Sequence, residues 1–350
     1  MSVALVTGAT GFIGSHLVDA LLRRGDRVRC LVRRGSRLGY LRDLDVELRE
    51  GSLLEPATVA AAIDGADLVY HAAGLTSALR TAELIQVNGE GTNVVAEACA
   101  GQSIPPRLVL ISSLAAAGPS TADTPRVESD PPAPISAYGR SKRAGELAAE
   151  RWAAKVPMTI VRPGIVFGPR NLELVPMFRP IKRFGVHCVL GSHPPRLSLI
   201  HVSDLVDLVL RAGERGQHLP GGDSRGAAGQ GYYFGTDNEH PDYGELGDRI
   251  AVSFGRNQAW KIRLPFFFGR MAAGIGELLQ QLRGKPYSFN RDKIIEATAT
   301  CWLCSGLAAR RDLDFQPVKT LDERLRETAA WYLDHRWLES PLSPPSWPPA

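Results

Sequence analysis

A short apolar run, Val3 to Thr7, ends directly in Thr7-Gly8-Ala9-Thr10-Gly11-Phe12-Ile13-Gly14, and helical periodicity begins at once with Leu17, Val18, Leu21 and Leu22. Three glycines at this spacing between a strand and a helix leave few folds open. Gly8 permits the tight turn, Gly11 lets backbone approach a pyrophosphate, and Gly14 lets the helix lie close against the strand. Free N–H groups and the positive end of the helix dipole then face the anion, near Thr10, Phe12 and Ile13. The plainer alternative is a tight strand-to-helix turn with no ligand.

The first 165 residues continue this alternation. Strands are expected at Arg27 to Val32, Val46 to Leu48, Leu68 to Tyr70, Leu108 to Ser112 and Met158 to Val161. Helices are expected at Pro56 to Ile63, Thr81 to Ala100 and Ser136 to Trp152. Such spacing predicts an α/β fold, a Rossmann-type doubly wound parallel sheet that binds ligands at the carboxyl ends of its strands. After Gly164 the rhythm breaks. Residues 168–198 hold five prolines and read as loop. Leu199 to Ala212 returns to strand then helix, and Gly213 to Gly231 reads as a mobile surface loop. Helices follow at Tyr243 to Phe254, Phe267 to Leu282 and Leu321 to His335. The expected organisation is a dinucleotide-binding core over 1–168 and a small C-terminal α/β substrate lobe over 169–339. Core elements return near 199–212, and a disordered Pro-rich tail occupies 340–350.

Composition excludes several classes. The 350 residues carry a net charge of +4, too small for a nucleic-acid footprint. No stretch of roughly 20 apolar residues is present, so no membrane span is expected. The most apolar piece, Leu264 to Leu282, is interrupted by Arg270 and Glu277 and reads as a buried or substrate-covering helix, with interfacial contact as the alternative. No secretory signal precedes Val3, so a cytoplasmic protein is expected. Five cysteines argue against a disulfide framework. Cys301 and Cys304 form a lone C-x-x-C, read as two packed thiols, and no metal site is expected.

The second strand normally carries the residue that meets the adenosine ribose. A carboxylate there binds the 2′-hydroxyl and repels a 2′-phosphate. This chain has Arg33, Arg34 and Arg37, with no acid between Asp26 and Asp43. The expected cofactor is therefore NADP, with Arg33 the first candidate for the phosphate. NAD held by backbone contacts, beside a solvated basic turn, is the alternative.

Tyr138 and Lys142 stand at i and i+4 in Ala-Tyr-Gly-Arg-Ser-Lys and share a helix face. A lysine ammonium there lowers the pKa of a tyrosine hydroxyl. Bringing a phenol near neutrality takes ~3 pKa units, about 4 kcal/mol. A cation in a dry cleft and an oxidised nicotinamide together supply effects of that size. Alone, such a pair occurs by chance on many helices.

With the glycine turn and a serine before it, the pair resembles the extended short-chain dehydrogenases/reductases. These include sugar-nucleotide epimerases and dehydratases, dihydroflavonol-type reductases and 3β-hydroxysteroid dehydrogenases. Tyr70-His71-Ala72-Ala73-Gly74 is similar to the family's cofactor-lining turn after the fourth strand. Val87-Asn88-Gly89-Glu90-Gly91-Thr92 resembles its helix with an active-site asparagine. Val161-Arg162-Pro163-Gly164-Ile165-Val166-Phe167-Gly168 resembles the segment that meets the nicotinamide. Ile200-His201-Val202-Ser203-Asp204 and Arg310-Arg311-Asp312-Leu313-Asp314-Phe315-Gln316-Pro317 resemble later family motifs.

The resemblance implies that Ser113 donates to the substrate oxygen and that Tyr138 moves the alcohol proton. Lys142 stabilises tyrosinate and binds the nicotinamide ribose, and Asn88 supports the lysine through a helix carbonyl or water. It implies cofactor contacts at Ser52, Leu53, Ala72, Ala73, Pro163, Gly164 and Ile165, a small-molecule substrate, and a homodimer through the Thr81 to Ala100 and Ser136 to Trp152 helices. His71 is read as structural, and His201 with Asp204 as a packing turn and helix cap. Ser52 stands where many family members carry an acid. No acids neighbour Ser113, which argues against elimination chemistry. The favoured activity is secondary-alcohol/ketone interconversion by hydride transfer. A nucleotide-sugar epimerase that retains its dinucleotide, and a non-catalytic dinucleotide sensor, are the alternatives.

Overall fold

The computed structural model describes residues 2–121, 123–192, 194–221, 228–267, 271, 274 and 291–339. Its centre is a seven-stranded sheet built from β1 (Val3–Thr7), β2 (Arg27–Val32), β3 (Glu47–Glu50), β4 (Leu68–His71), β5 (Arg107–Ile111), β6 (Met158–Pro163) and β10 (Tyr232–Gly235). The order is β10-β6-β5-β4-β1-β2-β3, and every pairing is parallel. The order reverses between β1 and β4, and a crevice opens there at the carboxyl ends.

Alternation along β1 sends Ala4 and Val6 to one face and Leu5 to the other. On the first face lie α1 (Phe12–Arg24), α8 (Val202–Arg215) and α11 (Leu307–Leu313), with Leu17, Leu21, Leu205, Val209 and Leu313 in the core. On the second lie α2 (Pro56–Ile63), α4 (Gly91–Ala100) and α6 (Ala137–Glu150), with Val59, Ile63, Val95 and Ala149. The long helix expected from Thr81 to Ala100 is present but interrupted. The short helix α3 (Thr81–Ile85) passes into a π turn at Gln86–Glu90 before α4. π turns are rare and frequent at functional sites. This one contains Asn88.

Residues 168–198 are not simply loop. They contain α7 (Val175–Phe184) and β8 (Val186–Leu190). Pro176 sits in the first turn of α7, where its missing N–H lacks an intrahelical partner anyway. Pro180 lies inside the helix and costs it one bond. Further strands are β7 (Ile165–Phe167), paired with β9 (Leu199–His201), and β11 (Trp260–Leu264), paired with β8. With α9 (Tyr243–Ser253) and α12 (Leu321–Asp334), these enclose a second core around Phe178, Ile181, Ile250, Leu325 and Tyr332. Asp204 on α8 takes a bidentate bond from Arg324 on α12, at 2.9 and 2.6 Å.

α8 runs through Arg215, so the first residues of the expected 213–231 loop are helical. The expected Phe267 to Leu282 helix and the 340–350 tail lie outside the described residues. Among the described residues no helix is long and apolar enough to cross a membrane, and no His, Cys, Asp and Glu cluster is arranged for a metal ion.

Candidate active site

The glycine turn has little room. Gly8 has φ +71°, and a Cβ there would lie 2.6 Å from the Ala73 nitrogen. A Cβ on Gly14 would lie 2.1 Å from the Gly8 carbonyl oxygen. The turn is thus pressed against the end of β4 on one side and against its own helix on the other. Ala73 N–H donates to Thr7 Oγ1 at 3.3 Å, tying the β1 and β4 ends together. Gly11 is the N-cap of α1, without a side-chain cap, so the helix N-terminus presents bare amides. A concave, Cβ-free backbone surface ending in a helix N-terminus fits a pyrophosphate.

Arg33 and Arg34 project into solvent from the turn after β2, and Arg34 comes within 3.5 Å of Glu50. Ser52 is engaged locally: its Oγ accepts from Leu54 N–H at 3.3 Å. On β6, Pro163 ends the strand. Gly164 passes so close to Ser198 that a Cβ would lie 2.3 Å from its carbonyl oxygen. Ile165 N–H donates to that same Ser198 carbonyl at 2.9 Å.

Ser113 follows β5 and caps the four-residue helix α5 (Leu114–Ala117), accepting from Ala115 N–H at 3.1 Å. Tyr138 lies in the first turn of α6, which Ser136 caps. Burial pushes the Tyr138 phenol up to about 12. The Lys293 ammonium and the Ser113 hydroxyl draw it down, while Glu173 and Glu296 raise it. Lys142 lies one turn on. Its ammonium donates to the Ile111 carbonyl at 2.7 Å, and burial lowers it to about 8, partly offset by Glu146. Burial dominates Tyr138, and the largest cation acting on it comes from another helix.

Asn88 has partners on two further elements. Its Oδ1 accepts from Leu75 N–H at 2.8 Å, and its Nδ2 donates to the Leu75 carbonyl at 2.9 Å and to Ser141 Oγ at 2.8 Å. Ser141 in turn donates to the Tyr138 carbonyl at 2.7 Å. Asn88 therefore fastens the loop after β4 to the helix carrying Tyr138. His71 is structural, as read: it is fully buried, with Nδ1 2.7 Å from Thr7 Oγ1 and Nε2 3.1 Å from Thr92 Oγ1. Burial, then Lys142, lowers it to about 3. His201 caps α8 through Ser203 N–H at 3.3 Å. Cys301 and Cys304 are free, buried thiols.

Two sets of residues escaped sequence reading. Glu146, one turn beyond Lys142, is fully buried. It accepts from Arg162 at 2.8 and 2.7 Å and from Ser112 Oγ at 2.6 Å. This anchors α6 to β5 and β6 together. An acid at i+4 from the lysine was the one available signal. The second set is α10 (Arg291–Ala297). Asp292 accepts from the Ala137 and Tyr138 amides at 2.6 and 2.9 Å, and Glu296 accepts from Ser136 Oγ at 2.7 Å. Lys293 places its ammonium 5.6 Å from the Tyr138 ring centroid and 3.2 Å from Glu296. Burial acts to lower that ammonium, but Glu296 and Glu173 outweigh it and hold it above its ordinary value. Nothing in the sequence links residue 292 to residue 138; the contact exists only in the fold.

Comparison with known proteins shows the family and the fold. The sequence profile described as the NAD dependent epimerase/dehydratase family matches residues 4–224. Ceramide reductase of Caulobacter vibrioides is 39% identical over 202 residues, 58% of each chain. Sterol demethylase protein B of Methylococcus capsulatus is 32% identical over 218 residues, 61% of this chain and 66% of its own. A 4-hydroxy-2-methyl-3-oxo-4-farnesyl-3,4-dihydroquinoline-1-oxide ketoreductase of Stigmatella aurantiaca is 29% identical over 278 residues, 78% of this chain and 79% of its own. The chain thus spans less than two thirds of the length of the first two relatives. Among solved structures, gox2253 superposes with a TM-score of 0.76 at 25% identity, covering 96% of this chain and 99% of that one. UDP-glucose 4-epimerase of Thermotoga maritima has the same fold, with a TM-score of 0.73 at 21% identity, covering 95% and 99%.

Proposed function

Because the chain belongs to the NAD dependent epimerase/dehydratase family of extended short-chain dehydrogenases/reductases, whose members are NAD(P)-dependent dehydrogenases, reductases or epimerases, we propose that it is an NADP(H)-preferring reductase of an apolar ketone. The observation that carries this reading is the meeting of Ser113 and Tyr138 beyond β5, with Lys142 one turn along the same helix. The names of the relatives point to the substrate class. Ceramide, a sterol and a farnesyl quinoline oxide are all largely hydrocarbon, and two of the three proteins are named as reductases.

In this reading Ser113 Oγ donates to the substrate carbonyl oxygen and sets its position. Tyr138 donates its phenolic proton to that oxygen as the alcohol forms, and takes it back in the reverse direction. Held at about 12, the phenol carries its proton at neutral pH, the state from which reduction starts, and a nearby cation makes it a stronger acid. Lys142 and Lys293 stabilise the tyrosinate left behind, from different helices. Asn88 and Ser141 fix the backbone of Tyr138, and Asp292 holds its amide. The bound dinucleotide supplies the hydride, and that chemistry is its own. Gly8, Gly11 and Gly14 with the α1 amides would hold its pyrophosphate. Arg33 and Arg34 would hold a 2′-phosphate, having no competing acid on the preceding strand. A homodimer through α3, α4 and α6 is part of the proposal, with Ile85 and Leu147 exposed on those helices.

The test follows NADPH absorbance with long-chain sphingoid, sterol and prenylated ketones, beside nucleotide sugars as controls. Turnover of apolar ketones with NADPH is expected. Turnover confined to nucleotide sugars, or a clear preference for NADH in thermal shift, overturns the reading. Tyr138→Phe is expected to lose turnover by about 10²- to 10⁴-fold, with NADPH affinity nearly intact.

A further inference from the structure

The basic residues of this chain are not spread evenly. Segments 179–192 and 251–267 together hold six lysines and arginines and no aspartate or glutamate. The whole chain is only +4, so everything outside these two segments is net negative. The fold brings the segments together, because β8 and β11 pair in parallel.

The register aligns Val186 with Trp260, Cys188 with Ile262, and Leu190 with Leu264. Partners in a parallel pair point to the same side, so one face of this ribbon is apolar along both strands. The other face turns inward. There His187 and Val189 are buried, and Lys261 pairs with Asp248 of α9 at 2.5 Å. Large apolar groups stand in solvent at one end of the ribbon: Trp260 is 72% exposed, and Phe184, 66% exposed, directly precedes Gly185, whose carbonyl accepts the Trp260 N–H at 2.7 Å. Exposed aromatics gathered in this way mark an interaction surface rather than ordinary surface scatter.

Cations border the patch. Lys182 and Arg183 precede Phe184 at the end of α7, and the Arg183 guanidinium lies 5.2 Å over the Phe184 ring. Arg256 packs beside Gly185 and donates to the Lys182 carbonyl at 3.3 Å. Lys182, Arg183 and Arg256 are exposed and have no carboxylate partner among the described residues. Against a second copy of the chain through the same face, these cations would meet their own counterparts, since a two-fold interface is self-complementary. Anionic headgroups above hydrocarbon answer both features at once. Aromatic side chains settle at the headgroup level, and basic residues are drawn to the negative surface.

We propose that the β8–β11 face docks on the surface of an anionic phospholipid bilayer, with Phe184 and Trp260 entering the interface and Lys182, Arg183 and Arg256 on the lipid phosphates. The docking is peripheral and does not depend on the hydride-transfer reading, because its readout is lipid binding alone. It would set the substrate lobe against the phase in which apolar molecules dissolve.

The test is co-sedimentation of the full chain with vesicles of phosphatidylcholine, alone or mixed with phosphatidylglycerol, at low and high salt. Binding is expected only with phosphatidylglycerol and is expected to weaken at high salt. Each basic residue contributes about 5-fold, so Lys182→Glu with Arg183→Glu should lose on the order of 100-fold. Phe184→Ser with Trp260→Ser, a separate variant on exposed positions, should weaken binding without changing the thermal midpoint or NADPH affinity. Undiminished vesicle binding in both variants overturns the proposal, as does equal binding to phosphatidylcholine alone. A dimer seen by light scattering that both variants dissolve also overturns it and assigns the face to a second copy.

Discussion

The glycine turn meets the candidate site with backbone, whereas α10 meets it with ionised side chains. In the first region Gly8 and Gly14 shape a cradle by having nothing on Cα, and a helix N-terminus supplies the amides. In the second, Asp292, Lys293 and Glu296 reach the head of α6 from more than 150 residues away. Backbone cradles tolerate no substitution but serve any pyrophosphate. Side-chain latches are adjustable, and this one lies where substrate and proton donor meet.

The largest break should come from the cradle. Gly14→Val puts a side chain where even a Cβ lies 2.1 Å from the Gly8 oxygen, so the turn must open. The cost exceeds about 4 kcal/mol, in the range reserved for core disruption. No NADPH-induced thermal shift is expected; a normal shift would show that the cradle is not where the nucleotide sits. Glu146→Leu should cost about 3–5 kcal/mol in urea denaturation, because it strands the buried Arg162 guanidinium. A loss under 1 kcal/mol would mean that α6 is held by packing alone. Asp292→Ala removes two charge-assisted bonds to the α6 amides, worth about 1–3 kcal/mol together. Its signature is a lower kcat with NADPH affinity unchanged. Weaker NADPH binding instead would move Asp292 from the substrate side of the comparison to the cofactor side.

The smallest effect is acid lability. Burial holds His71 and His201 at about 3 and His16 at about 4, below the ordinary 6.5. Between those limits the unfolded chain binds protons that the folded chain refuses, so stability is complete above 6.5 and falls as pH falls. Each histidine costs about 1 kcal/mol between pH 6.5 and 5.5. Melting temperature followed against pH should decline over that window, and less steeply in His71→Gln. A midpoint flat down to pH 4 would contradict neutral burial of these rings.

The glycine turn, the strand–helix alternation and the Ser113, Tyr138 and Lys142 positions were legible because each is a local pattern. So were the structural roles of His71 and His201, which follow from their places at strand ends. The α7 helix was hidden by Pro176 and Pro180, residues that usually announce loop; the first is tolerated in the opening turn, and the second costs the helix one bond. β10 was hidden because four residues, Tyr232–Gly235, carry too little periodicity to declare a strand. The side-chain partners of Asn88 were not legible, since Leu75 and Ser141 approach from separate elements.

By itself the sequence determined the parallel sheet, the nucleotide turn and the types of side chain available for proton transfer. Those depend on backbone freedom and on spacings of a few residues, which any stretch of chain carries within itself. Only the tertiary structure decided the electrostatic setting of Tyr138: its burial, the Lys293 ammonium near its ring, and the acids around both. Only it gathered two acid-free segments into one basic, aromatic face. Coulomb and desolvation energies depend on distance in space, and folding sets that distance between residues far apart along the chain.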